Sequence, residues 1–477
     1  MTSPVNSSCL AVTFVSALLA APACAPRAAG YQDVRQLTQA RLDHDVRWYQ
    51  HDDRQPAQRR VREILSRPLN AKSAVQIALL NNPGLQATFE ELGVARAQLA
   101  HALRIPNPTV EAALRFHGSS ATGDHGPTID LHAMEDISEL LFLPLRNGAA
   151  QAQLDVAKAS VVAQILDLAF EVKVAFVSYQ AAQQSLELRR STLEATHASF
   201  EMAQRLHQAG NITDLSLAKE QALYQESRIA LSAAEAASVA QREQLNALLG
   251  LTGAASRWSV EPRLPEPSAV ASVLDNLEQR ALAQSLDLQM LRQRARASDE
   301  QATLATWRGW IPELQAGVAA ERDEGRWGVG PAAAVELPIF YQGQGESGAF
   351  EAEARRAEQQ VVEVAERIRA ASRAAAVQLQ TAMDTVTLFK TTVLPLRQQI
   401  LDGTLLEYNA MSTGLFQLLQ AKRDQVAAAE AYVELLQDYW LARASAEQLL
   451  AGRLPPAGAV RKGSSIGSAA AQEPAGH

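Results

Sequence analysis

One stretch of this sequence, from Ala149 to Ala209, determines the fold class. It reads AAQAQLDVAKASVVAQILDLAFEVKVAFVSYQAAQQSLELRRSTLEATHASFEMAQRLHQA and contains neither Gly nor Pro. Because Gly and Pro interrupt most helices, their absence predicts one continuous helix, roughly 90 Å long at ~1.5 Å per residue. Apolar residues recur at spacings of three and four, for example Ile165, Leu168 and Val172, so one stripe must be buried against neighbouring helices.

Three more stretches lack both Gly and Pro, at 211–249, 349–394 and 415–451. They predict three further very long helices, with a kink rather than an end at Pro395. Charged residues such as Asp167 and Lys173 interrupt the most apolar part of the first helix, which argues against a membrane-spanning helix.

The chain is also an internal repeat. QIALLNNPGLQ at 76–86 matches QRALAQSLDLQ at 279–289, and QAGNITDLSLAKEQ at 208–221 matches NAMSTGLFQLLQAK at 409–422. Each half is predicted to contain a short helix, two strands and a long helix pair. The predicted domains are a signal peptide (1–24), an N-terminal peripheral segment (25–70), a first repeat (71–254), a linker (255–272), a second repeat (273–453) and a disordered tail (454–477).

Residues 109–117, 129–133, 313–321 and 327–336 alternate between apolar and polar side chains, which predicts four strands with one apolar and one polar face. This pattern is typical of outer-membrane barrels, with lipid outside and water inside. Four strands cannot close a barrel, whereas three chains supply 4 × 3 = 12 strands and pool twelve long helices into a tube. The alternative is a soluble sheet of two hairpins lying on the helices.

Composition excludes several classes of protein. The chain has 477 residues, 44 Lys and Arg against 52 Asp and Glu, and two Cys. A net charge of −8 without a basic block argues against a nucleic-acid partner, and two cysteines cannot build a disulfide framework. The apolar run from Leu10 to Cys24 is too short to anchor in a bilayer and predicts an export signal. Cys24 is a candidate for lipidation, the alternative being that it is removed with the signal.

Several segments together resemble the TolC-like outer membrane efflux protein family. They are ALLNNPGLQA (78–87), the IPNP entry to a strand, LPIFYQGQG (337–345) and YNAMSTGLFQLLQAKRD (408–424), and the resemblance covers roughly residues 71–453. It implies a homotrimeric channel-tunnel, mainly α with a small β part: a 12-stranded β-barrel in outer membrane lipid and a periplasmic α-barrel. Its implied partners are a periplasmic adaptor (membrane fusion) protein and an inner-membrane RND-type pump. The joint between strand and helix (337–345) and the tip of the second helical hairpin (408–424) look closest to the heavy-metal efflux branch.

The resemblance also places functional residues at the helix tips. The periplasmic constriction falls on Gln417 and Gln420, where the family often has acidic residues. An amide ring can narrow a pore but does not hold a cation as carboxylates would; the alternative for both is a solvated helix face. The adaptor-docking residues are expected among the tip positions, which could equally be ordinary helix-hairpin turns: Gly210, Asn211, Asp214, Met411 and Gly414.

No motif in the sequence predicts an enzyme, a cofactor or a resident metal. Gly343–Gly348 fits a dinucleotide fingerprint, but a long helix follows it where a second parallel strand would be needed. Ser465 fits a nucleophile elbow but lies in the tail. His117, His125 and His132 lack a fixed spacing for metal ligands and are interpreted as lumen or loop residues. The expected function is passive conduction of heavy-metal cations or small toxic molecules; the alternative is a soluble periplasmic adaptor or scaffold of helical hairpins.

Overall fold

A computed structural model describes residues 30–42, 44–49, 54–116, 127–311, 313–323 and 326–456. The predicted signal peptide with Cys24, residues 457–477 of the predicted tail with Ser465, and both His117 and His125 lie outside these ranges. Within them, no helix combines the length and the apolarity needed to cross a membrane.

The two halves have the same order of elements. Helices α1 (Tyr31–Leu42) and α2 (Arg54–Leu65) precede the first half. The first half consists of α3 (Ala71–Asn81), α4 (Pro83–Ala102), β1 (Thr109–Arg115), β2 (Thr128–Asp136), α5 (Ser138–Leu141), α6 (Leu143–Gln208) and α7 (Asp214–Leu249). A 3₁₀ turn (Gly253–Ser256) and α8 (Ala271–Leu274) lead to the second half, which consists of α9 (Leu277–Gln284), α10 (Leu286–Trp310), β3 (Leu314–Asp323), β4 (Arg326–Val335), α11 (Gln344–Leu388), α12 (Leu394–Asn409) and α13 (Leu415–Leu450).

The predicted long helices are confirmed. Helix α6 alone has 66 residues, which at ~1.5 Å per residue makes it about 99 Å long. The helix does not end at Pro395: a π-helical turn, Phe389–Val393, joins α11 to α12 just before this proline. Proline has no N–H to donate to the carbonyl of the preceding turn, so the helix there adopts a wider local winding.

Equivalent positions in the two halves use the same capping chemistry. Asn82 begins α4 and accepts a hydrogen bond from the Leu85 amide through Oδ1 (3.0 Å). Ser285 begins α10 and accepts one from the Leu288 amide through Oγ (3.2 Å). Both caps occupy the same position in the matched 76–86 and 279–289 segments, so the repeat extends to the side chains that start its helices.

The core forms two connected clusters, one for each half. The first contains Ile77, Phe89 and Ile165 from α3, α4 and α6, and the second contains Leu379 and Tyr439 from α11 and α13. Helix α6 contributes to both, since its Val177 belongs to the second cluster. The longest helix therefore joins the halves.

Polar contacts fasten the end of α13 to both halves. Arg453 binds Asp167 of α6 through Nη2 and Oδ2 (2.6 Å) and also pairs with Asp287 of α10. Burial raises the pKa of Asp287 above its ordinary value, although Arg453 opposes this effect. The guanidinium thus shares one charge between two carboxylates from different repeats.

The N-terminal segment has more structure than its sequence pattern indicates. Val34 and Val46 are fully buried in the first core cluster, and Tyr31 packs edge-on against Phe89. Arg41 reaches the second half and donates from Nη1 to the carbonyls of Gln284 and Ala451. The segment is therefore a strap that lies across both repeats.

The four strands form one antiparallel sheet in the order β1-β2-β3-β4. The two halves meet where β2 pairs with β3, with His132 opposite Ala319. Strands β1 and β4 are the sheet edges, and neither pairs with a further described strand of the chain.

Candidate functional site: sheet faces and helix tips

One face of the sheet is mainly apolar and carries exposed side chains. Val110, Leu114 and Val329 on this face are 74%, 61% and 72% exposed. Val318 and Trp327 share the face and are also exposed. A sheet lying on helices would bury these side chains, so the alternative of a soluble sheet packed on the helical hairpins does not describe this structure.

The opposite face carries charged and polar side chains in register. Glu111 lies opposite His132, and Asp130 lies opposite Glu321. Arg115 compensates part of the negative charge through an ion pair with Asp130 (2.7 Å). The predicted separation of polar and apolar faces holds in outline along β1, β2 and β3, and His132 lies on the polar face. Two charged residues, Glu135 and Arg322, lie on the apolar face. On β4 the residues on the polar side are Arg326 followed only by Gly and Ala.

The joint between sheet and helices is closely packed around glycines. A side chain at Gly309 would collide with the backbone of Gln342, and Gly343 adopts a left-handed φ of 74°. Gly343 directly precedes α11, so the fingerprint-like sequence 343–348 forms the turn into the long helix. Glu139 of α5 forms ion pairs of 2.6 Å with both Arg146 of α6 and Arg308 of α10. These contacts link the strand-to-helix connection of the first half to α10.

The two helix tips are the same turn, built from different residues. At the first tip, the Gly210 amide donates to the His207 carbonyl and the Asn211 amide donates to Leu206. At the second, the Met411 amide donates to Tyr408 and the Ser412 amide donates to Glu407. These are the paired bonds of a Schellman motif, whose central residue takes a left-handed conformation.

The residues that follow the turns begin the returning helices. Thr213 caps α7 by accepting a hydrogen bond from the Ser216 amide, and Asp214 pairs with His207 across the turn (2.6 Å). Gly414 caps α13 without a side-chain bond. The five tip residues predicted from the resemblance therefore lie at two exposed, equivalent ends of the molecule.

Gln417 and Gln420 are both exposed, in the first two turns of α13. Gln420 is held at both ends of its amide, since it donates to Asp424 (2.7 Å) and accepts from Arg423 (2.6 Å). Arg423 also lies 3.6 Å from Glu220 of α7, which accepts a hydrogen bond from Ser199 of α6 (2.5 Å). Polar contacts thus connect Gln420 to the first helical hairpin.

Sequence reasoning did not find the Arg423–Glu220 contact. The positions of Arg423 and Asp424, three and four residues after Gln420, indicate that they share its helix face. Nothing in the sequence indicates that Glu220, some 200 residues earlier, faces them. Within the described ranges, no group of three or more His, Cys, Asp or Glu side chains is arranged to hold a metal ion.

Comparison with known proteins agrees with this geometry. Residues 74–251 match the model of the family described as outer membrane efflux protein. No curated protein matches the chain. Among solved structures, the fold is similar to that of the outer membrane protein VceC from Vibrio cholerae, with a TM-score of 0.65, 18% identity and coverage of 85% of this chain and 100% of VceC.

Two further solved structures are outer membrane channels. The Campylobacter jejuni CmeC channel has a TM-score of 0.67 and 13% identity over 80% of this chain and 85% of its own. The open state of the Neisseria gonorrhoeae MtrE channel has a TM-score of 0.60 and 16% identity over 80% of this chain and 89% of its own. These likenesses span both repeats.

The predicted resemblance is thereby confirmed, and the family match supports the predicted outer-membrane location. Residues 74–251 carry the sequence signature of the outer membrane efflux protein family, and the chain as a whole has the fold of these solved outer membrane proteins and channels.

Proposed function

We propose that this chain is the outer-membrane channel-tunnel of a tripartite efflux system and that it works as a homotrimer. The observation that carries the proposal is the sheet, which has an exposed apolar face and two unpaired edges. A backbone group without a hydrogen bond costs several kcal/mol in hydrocarbon, so this sheet is stable in lipid only when other copies pair with its edges.

The dimensions of the sheet suit this role. Its strands have seven to ten residues, which correspond to roughly 23 to 33 Å of extended chain. Barrel strands tilt by roughly 35–45°, so strands of these lengths span about 16 to 27 Å of height, a range that includes the apolar band of an outer-membrane barrel, which is about 25 Å tall. Three copies supply twelve strands, with the polar faces lining a water-filled lumen and the long helices continuing it into the periplasm.

The tips are proposed to dock a periplasmic adaptor protein, which in turn joins an inner-membrane RND-type pump. Gly210, Asn211 and Asp214 would form one docking site, and Met411 and Gly414 the other. Their exposure and shared turn geometry support this assignment, because two equivalent ends present the same surface shape. The pump supplies the energy, and the channel conducts substrate outward without chemistry.

Gln417 and Gln420 are proposed to narrow the periplasmic end. Their exposure on α13 and the bonds that hold Gln420 in place support this role. The substrates proposed first are heavy-metal cations, and small toxic molecules second. We also propose that residues 1–24 direct export of the chain and that Cys24 carries a lipid.

The experiment that tests the channel is fractionation followed by conductance. We expect the processed protein in the detergent-extracted outer membrane as an oligomer that dissociates on heating, and we expect purified oligomers to open pores in planar bilayers. A monomer in the periplasmic extract with no conductance would instead establish the adaptor or scaffold alternative.

A deletion strain tests the substrate. If the channel exports metal cations, the strain becomes sensitive to metal salts and regains resistance when the gene is restored. Sensitivity to drugs alone would assign the second substrate class. Unchanged resistance to both would contradict the efflux role.

A further inference from the structure

A small cavity lies where the N-terminal strap meets the start of α10, far from the tips and the sheet. Its volume is about 260 Å³, and its charged lining consists of Arg41 from α1 with Arg292 and Arg296 from α10. Gln289 and Gln293 add amide groups, and no carboxylate among the described residues lines the cavity. Three positive charges thus converge in a chain whose net charge is −8.

Arg41 makes this cluster unusual because its guanidinium is half-buried. Its Nη1 donates to the carbonyls of Gln284 (2.8 Å) and Ala451 (2.6 Å), and no ion pair links Arg41 to a carboxylate of the described residues. Burial lowers the pKa of Arg41, as expected for a cation whose surroundings supply only dipoles. An anion in the cavity would supply the missing counter-charge.

The two arginines of α10 lie one turn apart on the same helix face. Like charges at this spacing repel each other, and neither arginine forms an ion pair with a described residue. The nearby carboxylate of Asp287 is already engaged by Arg453 and by the Leu454 amide. Glu300, four residues after Arg296, carries the nearest carboxylate on the same face, but this carboxylate lies beside Gly148 of α6 and does not line the cavity.

The cavity also lies at the amino end of α10, where the helix dipole favours a negative charge. The first amides are occupied, since Leu286 donates to the Gly452 carbonyl and Leu288 donates to Ser285. Direct contacts to a ligand would therefore come from the guanidinium and amide side chains. A guanidinium group binds two phosphate oxygens through two parallel N–H donors. These hydrogen bonds are stronger than neutral ones because donor and acceptor carry opposite charges.

We propose that this cavity binds a small soluble anion that carries a phosphate group. Its volume is below the roughly 300–1,000 Å³ of pockets for drug-sized ligands, so the anion is small. Arg296 lies fourteen residues before Trp310 at the end of α10. At ~1.5 Å per residue this is about 21 Å from the sheet, which places the cavity beyond reach of lipid headgroups at the base of the strands. The proposal does not depend on transport.

Calorimetric titration of the purified full-length oligomer with inorganic phosphate tests the proposal, in chloride buffer of constant ionic strength. We expect saturable binding with one site per chain. Arg296→Gln removes a charge from the cavity and should weaken binding by about tenfold or more. Arg294→Gln removes a charge from an exposed position of the same helix outside the cavity. It is the matched control and should leave the affinity unchanged.

Two outcomes would overturn the proposal. They are the absence of saturable phosphate binding in chloride buffer, and equal affinities for the Arg294→Gln and Arg296→Gln proteins. If the oligomer binds no phosphate and Arg296→Gln dissociates it, the cavity instead receives an acidic side chain of a second copy. If Arg296→Gln does not fold, Arg296→Lys replaces it in the test. This variant keeps the positive charge but loses the paired guanidinium donors, so it should bind phosphate more weakly than the native protein.

Discussion

At the scale of single residues, the second tip carries strain that the first tip lacks. Met411 has a φ of 57°, in the left-handed region, whereas the equivalent position of the first tip is Gly210 with a φ of 74°. A residue with a Cβ pays roughly 1–2 kcal/mol for this conformation. Met411 is also 94% exposed, so packing within the chain does not compensate for the strain. We infer that the methionine is kept for a contact outside the chain, such as the proposed adaptor.

Replacing Met411 with glycine tests this inference. The variant relieves the strain but makes the unfolded chain more flexible, so we expect a net gain in local stability of up to about 1 kcal/mol. Hydrogen exchange of the 411 and 412 amides should slow by up to about fivefold. Gly210→Ala should accelerate exchange at the first tip. Faster exchange in Met411→Gly would show that the methionine stabilises its own turn.

Glu447 gives the middle of the molecule a dependence on pH. Burial would raise its pKa, but Lys173 and Arg443, each at 3.0 Å, outweigh burial and hold the pKa below the ordinary 4.5. A carboxyl group whose pKa is lower in the folded state than in the unfolded state stabilises the fold at pH values above its unfolded-state pKa. This stabilisation is lost as the pH falls through the folded-state pKa.

Glu447→Gln is therefore expected to lower stability at pH 7 by about 1 kcal/mol, since the ion pairs are partly exposed. The deficit should begin to shrink as the pH falls below about 4.5, where the unfolded carboxyl takes up a proton, and should vanish below the lowered pKa of the folded carboxyl, where native Glu447 is neutral as well. Thermal unfolding followed by circular dichroism at pH 7 and through a series of decreasing pH values below 4.5 measures both effects. Glu358→Gln, at an exposed position of α11, is the control and should show neither.

At the scale of elements, the pair Glu220–Arg423 joins the first helical hairpin to the second. Both side chains are mostly buried, with 10% and 18% of their surface exposed. Arg423→Met would leave the carboxylate of Glu220 buried with only the Ser199 hydroxyl as partner. A buried pair broken on one side costs about 3–5 kcal/mol, with less expected here because some water reaches the pair.

A double-mutant cycle separates this effect from simple loss of packing. Arg423→Met alone should destabilise the tip strongly, whereas Arg423→Met with Glu220→Gln should recover part of the loss and give a coupling energy of about 1–3 kcal/mol. Urea unfolding followed by circular dichroism measures each variant. Additive losses would mean that the two side chains act independently. The arginine variants also remove the hydrogen bond that Gln420 accepts from Arg423 while its bond to Asp424 remains, so changed conductance in planar bilayers would link this contact to the proposed constriction.

The elements were far more predictable from the sequence than the contacts between them. Long intervals without Gly and Pro predict the helices because these two residues destabilise the interior of a helix more than any others. Pro395 likewise predicts an interruption of the regular α-helix, since its missing N–H acts locally. The strap helices α1 and α2 escaped prediction because they are short and polar and are held by tertiary contacts such as that of Arg41. Ion pairs between distant residues, such as Arg423 and Glu220, leave no periodic signal.

At the scale of the whole molecule, the sheet defines how copies must join. Its strands alternate in direction, so β1 and β4 run antiparallel to each other. When β4 of one copy lies beside β1 of the next, the antiparallel alternation continues without interruption. Every edge disappears once the ring closes, and in the proposed homotrimer three copies would close it with twelve strands.

Disulfide bonds between copies test this closure. Residues directly opposite on antiparallel strands have Cα atoms about 4.5–5.5 Å apart, within the range of a disulfide. Ala113 of β1 lies on the polar face, as do Gly328, Gly330 and Ala332 of β4. A Cβ at Gly328 or Gly330 would meet no close neighbour in the chain, so both positions accept cysteine.

Ala113→Cys combined in turn with Gly328→Cys, Gly330→Cys or Ala332→Cys scans the register between copies. We expect one member of the series to yield covalent dimers and then a final product of three chains on non-reducing gels, and reducing agent should return it to one chain. Ala113→Cys with Ala319→Cys pairs an edge strand with an inner strand and should form no such ladder. The native chain, whose two cysteines are Cys9 and Cys24, controls for bonds formed elsewhere. A ladder that stops at two chains or continues past three would contradict the twelve-stranded ring, because the number of copies that closes the sheet fixes the size of the largest linked species.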